Sequence, residues 1–296
     1  MAIILITGSS TGIGYAAAQT LAANAHTVYA TMRNPQQSQQ LQQWGLEKKY
    51  NLTLLRMDVN DDKSVQDAFD FILEKEGHID VLVNNAGIGS WGAVEEMELD
   101  LFRKDMETNY FGTVRCIKAV LPSMRERRSG TIINVTSVAG KLYSNFHATY
   151  CASKAATEAM SESLAQEMVP FNVRVALVEP GVIETPIFSK TNEIPEGTNY
   201  PNVKRFLSIF AASLENHVPP SVVATVINDI VDGKRTDFRN PAGPDAEGLL
   251  GWRSSSPDAD WIYSSAVDDA TWIAAMEQMG LNVGKYMAQA ELPQLH

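Results

Sequence analysis

Ile3-Ile4-Leu5-Ile6-Thr7-Gly8-Ser9-Ser10-Thr11-Gly12-Ile13-Gly14 is the stretch that decides the fold. Four apolar residues in a row, with no polar alternation, suit a strand buried on both faces. Three glycines follow at once, and a helical pattern then continues through Leu21. Glycine permits a tight turn and a close approach of backbone to a pyrophosphate. The N-terminus of the helix behind it supplies free N–H groups and a partial positive charge. Three residues separate the first two glycines, so the spacing differs from the common G-x-G-x-x-G. A plain glycine-rich turn is the alternative reading, but the position between an apolar strand and a helix favours phosphate binding.

Working outward, the same rhythm recurs. Apolar runs predict strands over 27–31, 52–57, 79–83, 131–135 and 173–178, and helical patterns cover 99–124, 147–168 and 221–231. Strands alternating with helices imply right-handed crossovers and a doubly wound parallel sheet, an α/β fold. We expect a single domain over 1–296, with residues 1–186 as the cofactor-binding and catalytic core. Residues 187–296 would form a substrate loop with a helical lid and a C-terminal extension. Phe188, Phe206, Leu207, Ile209 and Phe210 are candidates for a lid over an apolar ligand or for ordinary helix core, and Trp261, Trp272, Ile273 and Met276 suggest late helical pieces. The polar stretch Asn240-Pro241-Ala242-Gly243-Pro244 reads as turn.

Composition narrows the function classes. The chain has 296 residues, 45% of them hydrophobic, and a formal net charge of −11. An acidic surface repels phosphate backbones, which argues against a nucleic-acid partner. No run of eighteen apolar residues appears, so no membrane span is expected. The first strand begins at Ala2, leaving no room for a signal peptide, and a cytoplasmic location is expected. The two cysteines, Cys116 and Cys151, give no disulfide framework and read as small buried apolar residues. No metal-binding pattern is expected.

Chemistry gathers at the predicted strand ends. A fold that binds NAD usually carries Asp or Glu after its second strand, to accept the ribose hydroxyls. Here Thr31-Met32-Arg33-Asn34 stand there, without a carboxylate. Arg33 offers a fork suited to a phosphate, and Ser10 can add a hydroxyl, so NADP(H) is expected and NAD is the lesser choice. A solvated loop arginine is the alternative. Asp58, after the third strand, can meet an adenine amino group or cap the next helix. In Asn84-Asn85-Ala86-Gly87, the amides can tie strand ends together while the small pair lets a flat ring lie close. Asn109, inside a helical pattern, is either a satisfied polar residue or the holder of a water. Ser137 follows the fifth strand and so faces the crevice where open α/β sheets bind ligands. Tyr150 and Lys154 are four apart on one helix and share a face. An ammonium one turn from a phenol favours the phenolate and brings its pKa toward the working range. An exposed surface pair is the plain alternative.

Together these residues resemble the short-chain dehydrogenase/reductase superfamily over roughly residues 2 to 190. Val28-Tyr29-Ala30-Thr31-Met32-Arg33 and Tyr150-Cys151-Ala152-Ser153-Lys154 look like its 17β-hydroxysteroid and retinol dehydrogenase group. The resemblance implies a Rossmann-type fold and hydride transfer between a nicotinamide cofactor and a ketone or secondary alcohol. Tyr150 is then the general acid or base. Lys154 lowers its pKa and holds the ribose, Ser137 binds the substrate oxygen, and Asn109 positions a relay water. Gly8, Ser10, Gly12, Ile13 and Gly14 hold the adenosine and pyrophosphate, while Asp58 and Val59 meet the adenine. Asn85, Ala86 and Gly87 line the cofactor's path, and Val182 and Thr185 bind the carboxamide. The C-terminal third matches no steroid or retinol pattern. Trp91, Leu142, Tyr143, Phe146, Ile187 and Phe188 could form an apolar wall, which implies a hydrophobic substrate: steroid-like, retinoid-like or aryl-alkyl. Similar proteins pair helices into homodimers or homotetramers, for which Met124, Met160 and Leu164 are the expected contacts. The alternative function is a non-catalytic NADP(H)-binding sensor or scaffold on the same fold.

Overall fold

The computed structural model describes all residues except 192, 193, 195, 196, 294 and 296. Among the described residues, seven strands form one parallel sheet. They are β1 (Ile3–Ile6), β2 (Thr27–Met32), β3 (Leu52–Arg56), β4 (Val81–Asn84), β5 (Gly130–Val135), β6 (Val173–Pro180) and β7 (Arg239–Ala242), in the order β3-β2-β1-β4-β5-β6-β7. The order reverses between β1 and β4, and that switch opens a crevice beyond the carboxyl ends of the strands.

The apolar run 3–6 is buried from both sides because successive side chains point to opposite faces. Ile4 and Ile6 pack with Ala17, Ala18 and Leu21 of α1 (Gly12–Ala23) and with Val223 and Ile227 of α8 (Ser221–Val231). Leu5 belongs to the other layer, with Phe69 of α3 (Asp62–Glu76), Val120 of α5 (Gly112–Arg127) and Leu164 of α6 (Ala148–Met168). The remaining helices are α2 (Gln39–Lys48), α4 (Leu99–Met106), α7 (Val203–Leu214), α9 (Ala246–Ser255), α10 (Asp258–Tyr263), α11 (Asp269–Gln278) and α12 (Gly284–Met287). No described helix is long and apolar enough to cross a membrane.

Three expectations change. The stretch read as turn at 240–242 is the seventh strand, in which Pro241 pairs with Glu179. Proline is tolerated there because β7 is an edge strand, where one row of N–H groups has no ladder to feed. The helix expected over 99–124 is interrupted by a π-helical turn, Glu107–Phe111. Met124 and Leu164 are 0% and 6% exposed and pack inside the protomer, so neither is available to a partner; Met160 is half-buried against the same cluster. Periodicity marks an apolar face but does not say which neighbour covers it.

One charged cluster ties the edge strand to the core. Arg239 of β7 reaches Glu158 of α6 at 2.8 Å and Glu179 of β6 at 2.9 Å, and both carboxylates are almost fully buried. Burial, and then the Glu158 charge, raise the Glu179 carboxyl above its ordinary value, while Arg239 opposes the shift. Removing one partner of a buried pair costs roughly 3–5 kcal/mol. Arg239 is about one-third exposed, so Arg239→Met should fall at the low end of that range. A carboxyl whose pKa is raised on folding binds its proton more readily in the native state, so lowering the pH relieves the strain. The drop in Tm of the variant should therefore be smaller at pH 5 than at pH 7.5. An equal drop at both would mean the carboxylates are not what Arg239 restrains.

Candidate active site

The phosphate-type turn is bolted to the neighbouring strand. Thr7 Oγ1 accepts the N–H groups of Asn85 and Ala86, each at 2.9 Å. Asn85 Nδ2 donates back to the Thr7 and Gly8 carbonyls at 2.9 and 3.1 Å. Gly8 and Gly12 lie at φ +69° and +60°, where side chains are rarely found, and a Cβ on Gly8 would come within 2.7 Å of Ala86. Below them, Asn84 Nδ2 donates to Asn134 Oδ1 and Asn134 Nδ2 to Ser161, both at 2.8 Å, linking β4, β5 and α6.

A cavity of about 1150 Å³ opens above these strand ends. Its wall takes in every residue expected at the site except Gly14 and Asn109. Gly14 lies behind the turn, where a Cβ would run into Asn85 and Gly8, so its part is close packing of α1. Asn109 lies behind Gly87: a Cβ there would be 3.4 Å from Asn109 Oδ1 and 3.5 Å from Lys154 Nζ. Arg33 is exposed at the cavity rim and makes no ion pair among the described residues. Asp58 does not cap the following helix; Asp61 does, accepting from Ser64 N at 3.0 Å. The Asp58 carboxylate instead accepts from Asn60 N at 3.0 Å.

Tyr150 and Lys154 share the inner face of α6 at the cavity, Lys154 buried and Tyr150 half-buried, so neither is an exposed surface residue. Lys154 Nζ donates to the Val135 carbonyl at 3.0 Å and lies 5.5 Å from the Tyr150 ring centre. Burial dominates both groups. It pulls the Lys154 ammonium down to about 8, against the pull of Glu158 and Asp105. It pushes the Tyr150 phenol above its ordinary value, while the Ser137 side chain hydrogen-bonds to it and works the other way. The direction expected from the lysine alone is thus outweighed by desolvation in the protein without a ligand. Ser137 itself accepts from Ala139 N at 3.1 Å and is almost fully buried.

Asn109 sits in the π turn that interrupts α4–α5, and such bulges re-aim a side chain. Its Oδ1 accepts from Ile88 N, and its Nδ2 donates to the Ile88 carbonyl and to Ser153 Oγ, all at 2.9 Å. Its own carbonyl accepts from Thr113 and Thr157. Both polar side-chain atoms of Asn109 are thus hydrogen-bonded within the protein.

Among the site residues that escaped the sequence reading are His147 and Asp105. His147 stacks on Tyr150, ring centres 4.7 Å apart and planes within 10°. Burial holds its imidazole down at about 3, so it is neutral and serves as a flat wall. Phe206 and Phe210 of α7 pack edge-on against it. Nothing in the sequence near His147 signals this packing, because Phe206 and Phe210 come from about sixty residues away. Asp105, 0% exposed, accepts from Ser90 N and Oγ at 3.1 and 3.0 Å and holds the loop that carries Trp91. Of the expected apolar wall, Phe146 is displaced: it is buried against Phe206 and Tyr200 instead. Trp252, Trp261, Trp272 and Met276 of the C-terminal extension join the wall in its place. Finally, the Val182 N–H is taken by Asp245 Oδ2 at 2.9 Å, which leaves it unable to serve a carboxamide.

Residues 2–196 match the family model described as short chain dehydrogenase. A 3-ketodihydrosphingosine reductase of Bacteroides thetaiotaomicron is 38% identical over 247 residues, covering 82% of this chain and 88% of that protein. Retinol dehydrogenase 8 of Bos taurus is 36% identical over 269 residues, covering 86% and 85%. Among solved structures, a short-chain dehydrogenase from Streptomyces avermitilis superposes with a TM-score of 0.77 at 30% identity, covering 94% of this chain and 97% of that one. With the glycine turn, the Ser137–Tyr150–Lys154 face and these likenesses in agreement, the chain belongs to the short-chain dehydrogenase/reductase family of oxidoreductases.

Proposed function

We propose that the protein interconverts an apolar ketone and its secondary alcohol with NADP(H). The observation that carries this reading is the Tyr150–Lys154 pair beside Ser137 in the wall of a largely apolar cavity. The cradle fits a dinucleotide: Gly8, Gly12 and Ile13 line it, the two glycines without side chains to crowd the turn, α1 points its N-terminus at it, and Arg33, with no ion pair among the described residues, stands at its rim. When bound, the nicotinamide nucleotide supplies or accepts the hydride. Tyr150 gives its proton to the carbonyl oxygen in reduction and takes it back in oxidation. Ser137 donates to the same oxygen and stabilises the charge that develops there. His147 keeps the phenol ring in plane, and Lys154, held by the Val135 carbonyl, steadies the ribose and the phenol. Asn109, its hydrogen bonds committed within the chain, braces Ile88 behind the catalytic face. Trp91, Phe188 and Phe210 supply an aromatic wall, and among the described residues Asp58 is the one carboxylate along the cavity lining. That suits a steroid-like, retinoid-like or aryl-alkyl substrate, and the relative named for retinol points the same way. In a panel of ketones, the best substrate should be such a molecule; a phosphorylated sugar in first place would overturn the substrate class.

Tyr150→Phe removes the proton donor and keeps the ring stacked on His147. Turnover should fall by about a hundred- to ten-thousand-fold, with NADPH still bound in a fluorescence titration. Near-normal turnover would rule out Tyr150 as the acid.

Cofactor choice is read at Arg33. A hydrogen bond to a charged group contributes roughly 1.5–3 kcal/mol, so kcat/KM should favour NADPH over NADH by about one to two orders of magnitude. Met32 is 3% exposed and packs in the core, so an acid is better introduced next to it. Arg33→Asp should reverse the ratio; an unmoved ratio would leave Arg33 as a solvated side chain.

The pH profile of kcat/KM reports groups of the free enzyme. Lys154 is cationic below about 8 and loses its charge above it. Reduction should hold steady below that pH and decline above it, as the ammonium that steadies the phenol and ribose is lost. A profile level to pH 10 would remove Lys154 from the mechanism.

A further inference from the structure

The turn after β6 uses its backbone donors one by one. Gly181 N donates to the Ala242 carbonyl at 3.0 Å, Val182 N to Asp245 Oδ2 at 2.9 Å, and Glu184 N to the Val218 carbonyl at 2.9 Å. Ile183 is 3% exposed, and its N–H has no intramolecular partner among the described residues. Buried N–H groups without a partner are rare, and each asks for an acceptor. Ile183 lines the cavity, yet its side chain packs into the core and beside Gly243, so its main chain is what the cavity meets.

Asp245 is what leaves the turn in this state. It stands where a helix cap would be, before α9, but makes no side-chain cap bond to that helix. Its carboxylate is directed back across the sheet edge to Val182 instead. The fit is close: a Cβ on Gly181 would run into Asp245 Oδ1, and one on Gly243 would come within 3.2 Å of it. Glycine at 181 is therefore required by the carboxylate and not by backbone torsion.

We propose that Asp245 is a positioning residue for the nicotinamide end of the cofactor site, holding the Gly181–Val182 turn so that the Ile183 N–H meets the carboxamide. The proposal rests on the nucleotide reading of the cavity, and it moves the carboxamide donor from Val182 to the next residue. It also gives the C-terminal segment, through the loop after β7, a share in cofactor binding.

The test separates the two ends of the nucleotide. Affinities for NADPH and for 2′-phospho-ADP-ribose, which lacks the nicotinamide, are measured by calorimetry on wild type, Asp245→Ala, Asp245→Asn and Gly181→Ala. Asp245→Ala should weaken NADPH about tenfold, the loss of one well-placed hydrogen bond, and leave the fragment within about twofold. Asp245→Asn keeps an oxygen for Val182 N–H and should recover most of the affinity. Gly181→Ala displaces the carboxylate without deleting it and should reproduce the contrast, even if Asp245→Ala does not fold. Equal weakening of both ligands, or an unchanged NADPH affinity in both Asp245→Ala and Gly181→Ala, would overturn the assignment. Wild type that binds neither ligand would overturn the nucleotide reading itself, a result distinct from either.

Discussion

The Thr7 hydroxyl is the bolt on which the site depends. It accepts two N–H groups from the start of the Asn85–Gly87 segment while Asn85 returns two bonds to the glycine turn. Those four bonds hold the ends of β1 and β4 together at the place where the strand order reverses. Parallel strands diverge beyond such a switch, and the crevice exists because the two ends are held level while their connections run to opposite faces. Gly8 is needed at this contact because Ala86 leaves no room for a side chain. The same closeness lets α1 begin directly over the crevice and turn its N-terminus toward whatever lies there.

Burial is the second theme of the site. Lys154 and His147 are buried and Tyr150 is half-buried, and desolvation sets the direction of shift for each: phenol up, ammonium down, imidazole down. Desolvation disfavours whichever form carries charge. The histidine is thereby kept neutral and apolar, suited to stacking on the phenol. The lysine is brought near the pH at which proton transfer to an alcohol oxygen is useful, and Ser137 is the neighbour that works against the rise at Tyr150.

The C-terminal third is built onto the sheet edge. β7 pairs with β6, Arg239 anchors it to two buried carboxylates, and the loop after it reaches back with Asp245 to the turn that follows β6. From there, α9 to α11 bring Trp252, Trp261 and Trp272 to the cavity, facing the aromatic side of α7. Trp252 and Trp261 meet edge-on at 4.9 Å. The extension is thus a second wall of the same site and not an appended module.

What the sequence by itself determined is local and repetitive. The apolar run at 3–6, the glycines that follow it and the alternation of strands with helices specify a doubly wound sheet, because each depends on residues near one another in the chain. The helical spacing of Tyr150 and Lys154, the serine after β5 and the lack of an acid after β2 are legible for the same reason. Tertiary structure alone decided which side of each amphipathic helix met the core, and so Met124 and Leu164 turned inward. It decided that a proline-bearing stretch at 240–242 could pair, since only an edge position relieves proline of its missing donor. It packed Phe206 and Phe210 against His147 and gave the Val182 N–H to Asp245, contacts whose partners lie about sixty residues apart. Such contacts leave no periodic trace, because the chain fixes spacing along itself whereas burial and packing depend on what the fold brings alongside.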